Sequence, residues 1–463
     1  MSQPVILSIA LDLGTTTIKA AALNENGELA HIVSQPAPII TVLENHYESD
    51  ALAYAGIAEQ VLCECRAHAG LCVTLGLCSQ RSSFLLWDTT TGVPTTPLIS
   101  WQDGRGAESC EALREHEDAI RALSGLPLTP YYLAPKLRVL LQQNPHWRAH
   151  LVQGRWRVGT LDTFLIWRWS NGRHFVTDAS MAARTQLLDI AQPQWSPALC
   201  ELFDIPAAIL PKVLASSQLN LHLDNGLVLQ AGIGDQSAAL IAGVQAGLAE
   251  ALANLGTGCF VVRYVAHGEA HHGGYLSTLV YRDARTHLAD EGTLNSIAAA
   301  LAPYPVAQCD FLDLARHDVF CLAEPSGLGA PYFNNNLGLQ FSQPVAHLSQ
   351  QDIAALLLEA VVFRVARILE DMHRDRPLAR VYLSGGLANL SSLQLGIAQC
   401  VPCEVYRLDQ SESSLLGTAM LAADLQPGSL RKAHKITVAI EHQKLVEKFQ
   451  RWKVWLDKLL RQS

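Results

Sequence analysis

Two glycine–threonine turns, each set between apolar runs, constrain the fold of this chain more than any other feature. The first lies in ILSIALDLGTTTIK (6–19), and the second lies in LANLGTGCF (252–260). Apolar runs on both sides of a glycine turn predict a strand, a tight turn and a second strand. Because the pattern returns after about half of the chain, we expect two related lobes, each contributing such a turn to a shared cleft.

The first turn carries groups suited to phosphate. Gly14 lets the backbone fold closely, so that N–H groups can point at phosphate oxygens. Thr15 and Thr16 add hydroxyl donors, and Asp12 directly before the turn is a candidate to hold Mg²⁺ through water. The alternative at this point is an ordinary glycine hairpin without a ligand.

Length and composition set the class of protein. With 463 residues, 49% of them hydrophobic and 17% charged, the chain is long enough for two large domains or more. The net charge of −9 argues against a general nucleic-acid binder. No uninterrupted apolar run is long enough to span a bilayer, so we expect no membrane partner.

Cysteine usage indicates the compartment. The 11 cysteines include no CxxC pair, and we interpret them as reduced thiols of a cytoplasmic protein. The N-terminus lacks a basic segment followed by an apolar signal core, which agrees with that interpretation. His271-His272 has no convergent partners in the sequence and is interpreted as a surface loop rather than a metal site.

Polar and aromatic residues follow two predicted strands of the first half. Arg81 comes after the strand 73–77, and Trp101 comes after Leu98-Ile99-Ser100. Polar groups at strand ends commonly line a ligand site in α/β proteins. An arginine offers a rigid fork of donors, and a tryptophan can pack on the apolar face of a polyol. The alternative for each cluster is a surface loop.

Three later segments complete the pattern. Asp235 stands between a predicted strand (226–233) and an alanine-rich helix (237–244), where a carboxylate is either a helix cap or a general base. The turn Gly385–Asn389 opens a helix and would let a flat ring approach the backbone. Residues 452–460 are predicted to form an amphipathic helix that serves as a packing or interface element.

Ten segments resemble, in order along the chain, the motifs of the FGGY carbohydrate kinases, and most of all those of glycerol kinases. They are LDLGTTTIK (11–19), SQRSSFLLWD (79–88), ISWQDGR (99–105), SGLPLTPYYLAPKLR (124–138), GTLDTFLIW (159–167), VTDASMAART (176–185), GIGDQSAAL (232–240), LGTGCF (255–260), GLGAPYF (327–333) and LSGGLAN (383–389).

The resemblance implies an α/β fold with two ribonuclease-H-like (actin-like ATPase) domains, whose mixed central sheets surround a catalytic cleft. We place the domains at 1–241, with the acceptor side and the first phosphate loop, and at 242–463, with the nucleotide side. The implied activity is transfer of the γ-phosphoryl group of ATP to a terminal hydroxyl of a small polyol or ketose.

Site residues follow from the resemblance by position. It implies Asp235 as the base that takes the proton of the attacking hydroxyl. The nucleotide side would comprise Gly14, Thr15, Thr16, Lys19, Gly256, Thr257 and Gly258 at the phosphates, Gly385, Gly386 and Asn389 at the adenosine, and Asp12 at Mg²⁺. The acceptor side would comprise Arg81, Ser82, Trp101, Tyr131, Asp235, Gln236 and Phe260.

One departure from the glycerol-kinase pattern bears on specificity. Glycerol kinases carry an acidic residue after the arginine matched to Arg81, whereas this chain has Ser82. A shorter, neutral side chain removes a strong acceptor, so we expect a substrate longer than glycerol. The alternatives are a glycerol kinase proper, and an ATP-driven actin-like switch without a sugar acceptor. A homodimer is the candidate assembly.

Overall fold

The computed structural model describes residues 4–266 and 273–463, so the His271-His272 pair lies outside the described residues. The chain divides into two compact units. The first comprises Met1–Ala242, Ser277–Leu288 and Glu412–Leu430, and the second comprises Gly243–Leu276, Ala289–Ser411 and Arg431–Ser463. Each unit is therefore built from segments far apart in sequence.

Helices and strands both occur along the whole of the described chain. The helices are α1 (Ala51–Arg66), α2 (Ala107–Ala112), α3 (Glu117–Ser124), α4 (Leu133–Gln143), α5 (Pro145–Val152), α6 (Leu161–Trp169), α7 (Ala179–Ala183), α8 (Pro197–Leu202), α9 (Asp235–Gly243), α10 (Ile297–Leu301), α11 (Gln350–Asp375), α12 (Ser391–Cys400), α13 (Ser413–Ala422) and α14 (Gln443–Gln462). Short 3₁₀ turns occur at Arg114–His116, Ala207–Ile209, Val306–Gln308, Phe311–Asp313 and Gly386–Asn389.

The strands are β1 (Ile6–Leu13), β2 (Thr17–Asn24), β3 (Leu29–Pro36), β4 (Thr41–Leu43), β5 (His46–Ser49), β6 (Thr74–Ser79), β7 (Phe84–Asp88), β8 (Leu98–Ile99), β9 (Trp156–Thr160), β10 (Val176–Asp178), β11 (Leu188–Asp189), β12 (Gln194–Trp195), β13 (Lys212–Leu214), β14 (Leu221–His222), β15 (Val228–Gly234), β16 (Glu250–Leu255), β17 (Cys259–Val265), β18 (Leu276–Arg282), β19 (Thr286–Leu294), β20 (Cys321–Leu322), β21 (Gln340–Phe341), β22 (Arg380–Ser384), β23 (Glu404–Leu408) and β24 (Ala433–Lys435).

The central sheet of the first unit has the order β14-β15-β6-β1-β2-β3. The predicted hairpin is confirmed, because β1 and β2 pair antiparallel with Asp12 opposite Lys19. Strand β6 pairs parallel with both β1 and β15, so the sheet is mixed. The carboxyl ends of these three strands therefore lie at one edge, where Leu13, Ser79 and Gly234 are neighbours in register and Asp12 is opposite Cys78.

Both faces of this sheet are buried, which explains why β1 and β2 are almost uninterrupted apolar runs. Ile9 and Leu11 pack in a cluster with residues of α1 on one face. Ala10 points to the opposite face and packs with Leu415 and Ala419 of α13. Alternate side chains thus meet helices from distant parts of the chain, as the two-residue period of a strand requires.

The second unit repeats the arrangement. Its sheet places β19, β17, β16, β22, β23 and β24 side by side in that order. Strands β16 and β17 form the second predicted hairpin, and β22 pairs parallel with both β16 and β23. The hairpin followed by parallel strands matches the β2-β1-β6-β15 series of the first unit. The two mixed sheets agree with the two related lobes predicted from the repeated turns.

The core of the second unit lies around the long helix α11, which the sequence analysis passed over. Helix α14 extends from Gln443 to Gln462, so the predicted start at residue 452 is wrong by nine residues. Its first half is mostly polar and exposed, and only Leu445 and Lys448 to Phe449 face the core there. Lys448 is buried because its ammonium pairs with the Glu359 carboxylate.

Within residues 4–266 and 273–463, no helix combines the length and the apolar character that crossing a bilayer requires.

Candidate active site

The first glycine–threonine turn joins β1 to β2 and is held by side chains from elsewhere in the first unit. The Thr15 hydroxyl donates to Oε1 of Gln80 over 3.2 Å and accepts from the Trp101 indole N–H over 3.0 Å. The Tyr54 hydroxyl contacts the Gly14 carbonyl at 3.3 Å. Thr16 is exposed at the tip. The shape of the turn therefore depends on its contacts with Gln80, Trp101 and Tyr54.

Asp12 lies near the end of β1, just before this turn, and has a hydrogen-bond partner that the sequence analysis missed. Its Oδ2 accepts a 2.5 Å hydrogen bond from the hydroxyl of Ser414, 402 residues further on. Burial raises the pKa of Asp12 to about 6; the Ser414 hydrogen bond opposes the rise and the charge of Asp235 adds to it. Its buried Oδ1 has no hydrogen-bond partner among the described residues. An unpartnered carboxylate oxygen fits a hydrated Mg²⁺ ion.

Lys19, the predicted phosphate contact in β2, is paired within the first unit. Its ammonium lies 2.7 Å from the Glu412 carboxylate, and both side chains are partly exposed. Glu412 was not among the predicted site residues, because no local pattern links it to β2. A phosphate at Lys19 would share this cation with Glu412.

Asp235 is the first residue of α9, so the helix begins two residues before its predicted start. The Asp235 side chain is 34% exposed, whereas the Arg81 side chain beside it is 2% exposed. The Arg81 Nε lies 3.7 Å from Oδ1 of Asp235, and its Nη2 donates to Oε1 of Gln236. Oδ1 also accepts from the backbone N–H of Gln236 over 2.8 Å. A buried cation thus orients an accessible carboxylate.

Ser82 follows Arg81 in the left-handed backbone region, at φ 66°. Its side chain is fully buried, and its hydroxyl donates to the carbonyl of Arg184 over 2.8 Å. The donor of Ser82 is therefore used inside the protein. Ser82 therefore contributes no charged group to the site.

Trp101 and Tyr131 form an aromatic pair, with ring centroids 5.3 Å apart. The loop that carries Trp101 is fixed by Lys136, a fully buried residue of α4 that the sequence analysis did not select. Its ammonium donates to the carbonyls of Ser100 at 2.7 Å and Trp101 at 3.2 Å. Burial lowers the pKa of Lys136 to about 7, against the opposing charge of Asp103.

The second turn joins β16 to β17 in the second unit. The N–H of Gly256 donates to the Gly258 carbonyl over 2.8 Å, and the Thr257 carbonyl accepts from the N–H of Ala298 over 3.0 Å. Thr257 is exposed at the tip. Phe260, predicted on the acceptor side, lies in β17 and is partly buried.

The third glycine turn, after β22, lies against the second in the same unit. Gly385 has φ 88° and would bring a Cβ against the Leu255 carbonyl, so only glycine fits there. A Cβ at Gly386 would have nothing within 4 Å, which leaves the backbone open to a ligand. Asn389 ends the turn, and its Oδ1 accepts from Arg407 over 3.4 Å.

The predicted residues thus fall into two groups. The first unit holds Asp12, Gly14, Thr15, Thr16, Lys19, Arg81, Ser82, Trp101, Tyr131, Asp235 and Gln236, and the second unit holds Gly256, Thr257, Gly258, Phe260, Gly385, Gly386 and Asn389. Among the described residues, no group of three or more His, Cys, Asp or Glu side chains could hold a metal. A cation here would rest on one carboxylate and water.

Comparison with known proteins supports the resemblance. An apulose kinase of Pectobacterium atrosepticum is 31% identical over 98% of both chains. A glycerol kinase of Alcanivorax borkumensis is 32% identical over 91% of this chain and 89% of that protein. The structure of Plasmodium falciparum glycerol kinase with ADP matches with a TM-score of 0.86 at 20% identity, over 99% of both chains. Xylulose kinase from Lactobacillus acidophilus matches with a TM-score of 0.82 at 18% identity, over 98% of this chain and 97% of that one.

Family models give the same result. The N-terminal domain model of the FGGY family of carbohydrate kinases matches residues 7–249, and the C-terminal domain model matches residues 251–424. Members of this family transfer a phosphoryl group to a hydroxyl acceptor. The chain belongs to the FGGY family of carbohydrate kinases.

Proposed function

We propose that this kinase transfers the γ-phosphoryl group of ATP to a terminal hydroxyl of a polyol or ketose longer than glycerol. The observation that carries the proposal is the accessible Asp235 carboxylate held by the buried Arg81. A terminal hydroxyl is a poor nucleophile while protonated, and a positioned carboxylate can take its proton as the bond to phosphorus forms. Arg81 and Gln236 would orient both the base and the acceptor hydroxyls.

Phosphoryl transfer depends mostly on positioning and on neutralising charge at the γ-phosphate oxygens. The backbone N–H groups of the turn 14–16 would serve the phosphates in the first unit, and those of Thr257 and Gly258 would do so in the second, because the Gly256 N–H donates to the Gly258 carbonyl. Gly385, Gly386 and Asn389 would take the adenosine. Asp12 would hold Mg²⁺ through water, and the bound ion would neutralise phosphate charge.

The length of the phosphoryl acceptor is inferred from the neutral residue at position 82. A carboxylate at this position would give glycerol a charge-assisted hydrogen bond worth about 1.5–3 kcal/mol, or roughly 10- to 150-fold in affinity. The Ser82 hydroxyl already donates to the Arg184 carbonyl and offers no charge in exchange. A longer acceptor would recover the loss through more hydroxyls on Arg81 and Gln236. The likeness to an apulose kinase, named for a sugar, supports this choice.

A substrate panel tests the proposal. We would measure kcat/KM by ADP release with glycerol, tetritols, pentitols and ketoses of five to seven carbons, in the native protein and in Ser82→Glu. We expect glycerol to be a poor substrate of the native protein and to gain in Ser82→Glu. Ser82→Ala is the matched control, because it loses the same hydroxyl without adding a charge. If the native protein used glycerol best, it would be a glycerol kinase, and ADP release independent of every acceptor would indicate a switch.

We also infer that the enzyme works in a reducing compartment, the cytoplasm. All 11 cysteines are free thiols in the structure, and Cys63 is exposed. Exposed free thiols persist where glutathione and thioredoxin keep them reduced. Titration of thiols in protein purified without reductant would test this, with all of them expected to react after unfolding.

A further inference from the structure

Gln80, a buried residue directly after β6, lies between the aromatic pair and the first turn. It is 2% exposed, and its side-chain amide makes three hydrogen bonds. Oε1 accepts from the hydroxyls of Thr15 at 3.2 Å and Ser83 at 2.9 Å, and Nε2 donates to the Tyr54 hydroxyl at 3.0 Å. Both lone pairs of Oε1 are therefore occupied.

Trp101 reaches Gln80 by two routes. Its indole N–H donates to the Thr15 hydroxyl, which donates to Gln80. Its backbone N–H donates to the Ser83 hydroxyl over 3.0 Å, and that hydroxyl also donates to Gln80. The two routes fix both the side chain and the backbone of Trp101 relative to one amide group.

On its other side, Gln80 reaches the first turn. The Tyr54 hydroxyl accepts from Nε2 and is left to donate to the Gly14 carbonyl. The backbone N–H of Gln80 also donates to the Leu13 carbonyl over 2.9 Å. The donor and the acceptor of each hydrogen bond in this network are fixed, because the Trp101 N–H groups can only donate and the Gly14 carbonyl can only accept. The Thr15 hydroxyl is consequently a link in the network, and its backbone N–H is what remains for a phosphate.

We propose that Gln80 is a positioning residue that couples Trp101 on the acceptor side to the turn 14–16 on the phosphate side, so that acceptor and nucleotide strengthen each other's binding. The inference rests on the proposed function, since it requires an acceptor at Trp101 and phosphates at the turn. An acceptor that packs on Trp101 and Tyr131 stabilises one position of the indole. That position fixes Thr15, and the turn then holds the geometry that a phosphate needs.

Coupling between two ligands is reciprocal and is measured as a ratio of affinities. We would titrate the magnesium complex of the ATP analogue AMP-PNP into the full chain by calorimetry, with and without saturating D-xylulose, or glycerol if the substrate panel ranks it higher. In the native protein we expect the acceptor to tighten AMP-PNP binding by about fivefold or more, the usual range for coupled sites. A merely structural role for Gln80 would change stability or both affinities alike, and would leave this ratio unchanged.

The informative variants remove hydrogen-bonding groups while keeping most of the side-chain volume. Gln80→Met keeps the length of the side chain without its amide, and Trp101→Phe keeps an aromatic face without the indole N–H. We expect the ratio to fall in Gln80→Met and in Trp101→Phe and to reach about onefold in the double variant, because the Trp101 indole bonds Thr15 directly whereas its backbone is linked to the turn through Ser83 and Gln80. Trp169→Phe is the matched control, because it removes an indole hydrogen bond to Glu59 elsewhere in the first unit and should keep the native ratio.

Each outcome decides the question. A native ratio near onefold, or a folded Gln80→Met that keeps the native ratio, would overturn the coupling while leaving the kinase activity in place. If Gln80→Met did not fold, Trp101→Phe and Thr15→Val would decide on the same criterion. A native protein that bound no AMP-PNP and phosphorylated no acceptor would overturn the proposed function, and this inference with it.

Discussion

The Nε of Arg81 lies 3.7 Å from Oδ1 of Asp235, and the same guanidinium donates to Gln236. Two neighbouring side chains at the start of α9 are therefore oriented by one buried cation. Such a shared contact needs the planar fork of donors that arginine has and lysine lacks. The reactivity of Asp235 should consequently depend on a residue that need not touch the transferred phosphoryl group.

Arg81→Lys should lower kcat about 10²-fold or more, because a lysine ammonium cannot orient Asp235 and Gln236 together. AMP-PNP affinity should change little. Steady-state kinetics with the best acceptor, together with the melting temperature, would separate loss of orientation from loss of folding. Arg173→Lys, in an exposed ion pair with Asp224, should leave kcat unchanged. Native kcat in folded Arg81→Lys would mean that the base is positioned without the guanidinium.

Gly256→Ala is the cleanest test of the second turn as a phosphate site. A Cβ at Gly256 would have its nearest neighbour at 3.9 Å, so the variant should fold normally. The added methyl would occupy the space in which a phosphate approaches the backbone, and the affinity for Mg–AMP-PNP should fall by about tenfold or more. Calorimetry would measure it, with the exposed helical Gly56→Ala as control.

The more drastic Gly258→Val is less informative. A Cβ at Gly258 would lie 2.7 Å from the Leu294 carbonyl, which is backbone and cannot turn away. Loss of nucleotide binding in that variant would follow from disturbed folding as readily as from a blocked phosphate. Unchanged affinity in folded Gly256→Ala would remove the second turn from the nucleotide site.

The sequence predicts those parts of the fold that depend on residues close together in the chain. Apolar runs and glycine turns determine the two hairpins, because strand and turn preferences act over a few residues. The predicted positions of Arg81 and Trp101 at strand ends also depend only on their immediate neighbours. The structure therefore confirms the two hairpins and the positions of Arg81 and Trp101 after strands.

The partners of the site residues could not be predicted in this way. Ser414 reaches Asp12 across 402 residues, and Glu412 reaches Lys19 across 393, because α13 completes the first unit from the far end of the chain. Lys136 looks in sequence like any lysine of an amphipathic helix, and only packing shows that its ammonium is buried under the Trp101 loop. Long-range packing leaves no local pattern.

Asp162, a buried carboxyl in the first turn of α6, should make stability depend on pH. Burial raises its pKa to about 7 from 3.8; a hydrogen bond with Thr160 opposes the rise and the Asp178 charge adds to it. Between those values the folded protein holds a proton that the unfolded chain has lost, so this contribution to stability is complete below pH 3.8 and is lost as pH rises to about 7.

The side chain of Asp162→Asn cannot titrate, so the variant should become more stable relative to the native protein as pH rises. From pH 5 to pH 8 the difference in unfolding free energy should shift by about 2–3 kcal/mol in favour of the variant. Urea denaturation at several pH values would measure it. Asp118→Asn, at an exposed carboxyl of α3, is the control for the loss of a surface carboxylate. A pH-independent difference for Asp162→Asn would mean that Asp162 keeps its charge in the folded protein throughout.

The most direct measurement is the rate of phosphoryl transfer in Asp235→Asn. The amide keeps the size of the side chain and an oxygen for the Gln236 N–H, but it cannot take a proton at neutral pH. In a single turnover with the best acceptor, we predict a rate lower by about 10²-fold or more, with the affinity for Mg–AMP-PNP unchanged. A near-native rate in this variant would contradict the account, because Asp235 would then not be the base.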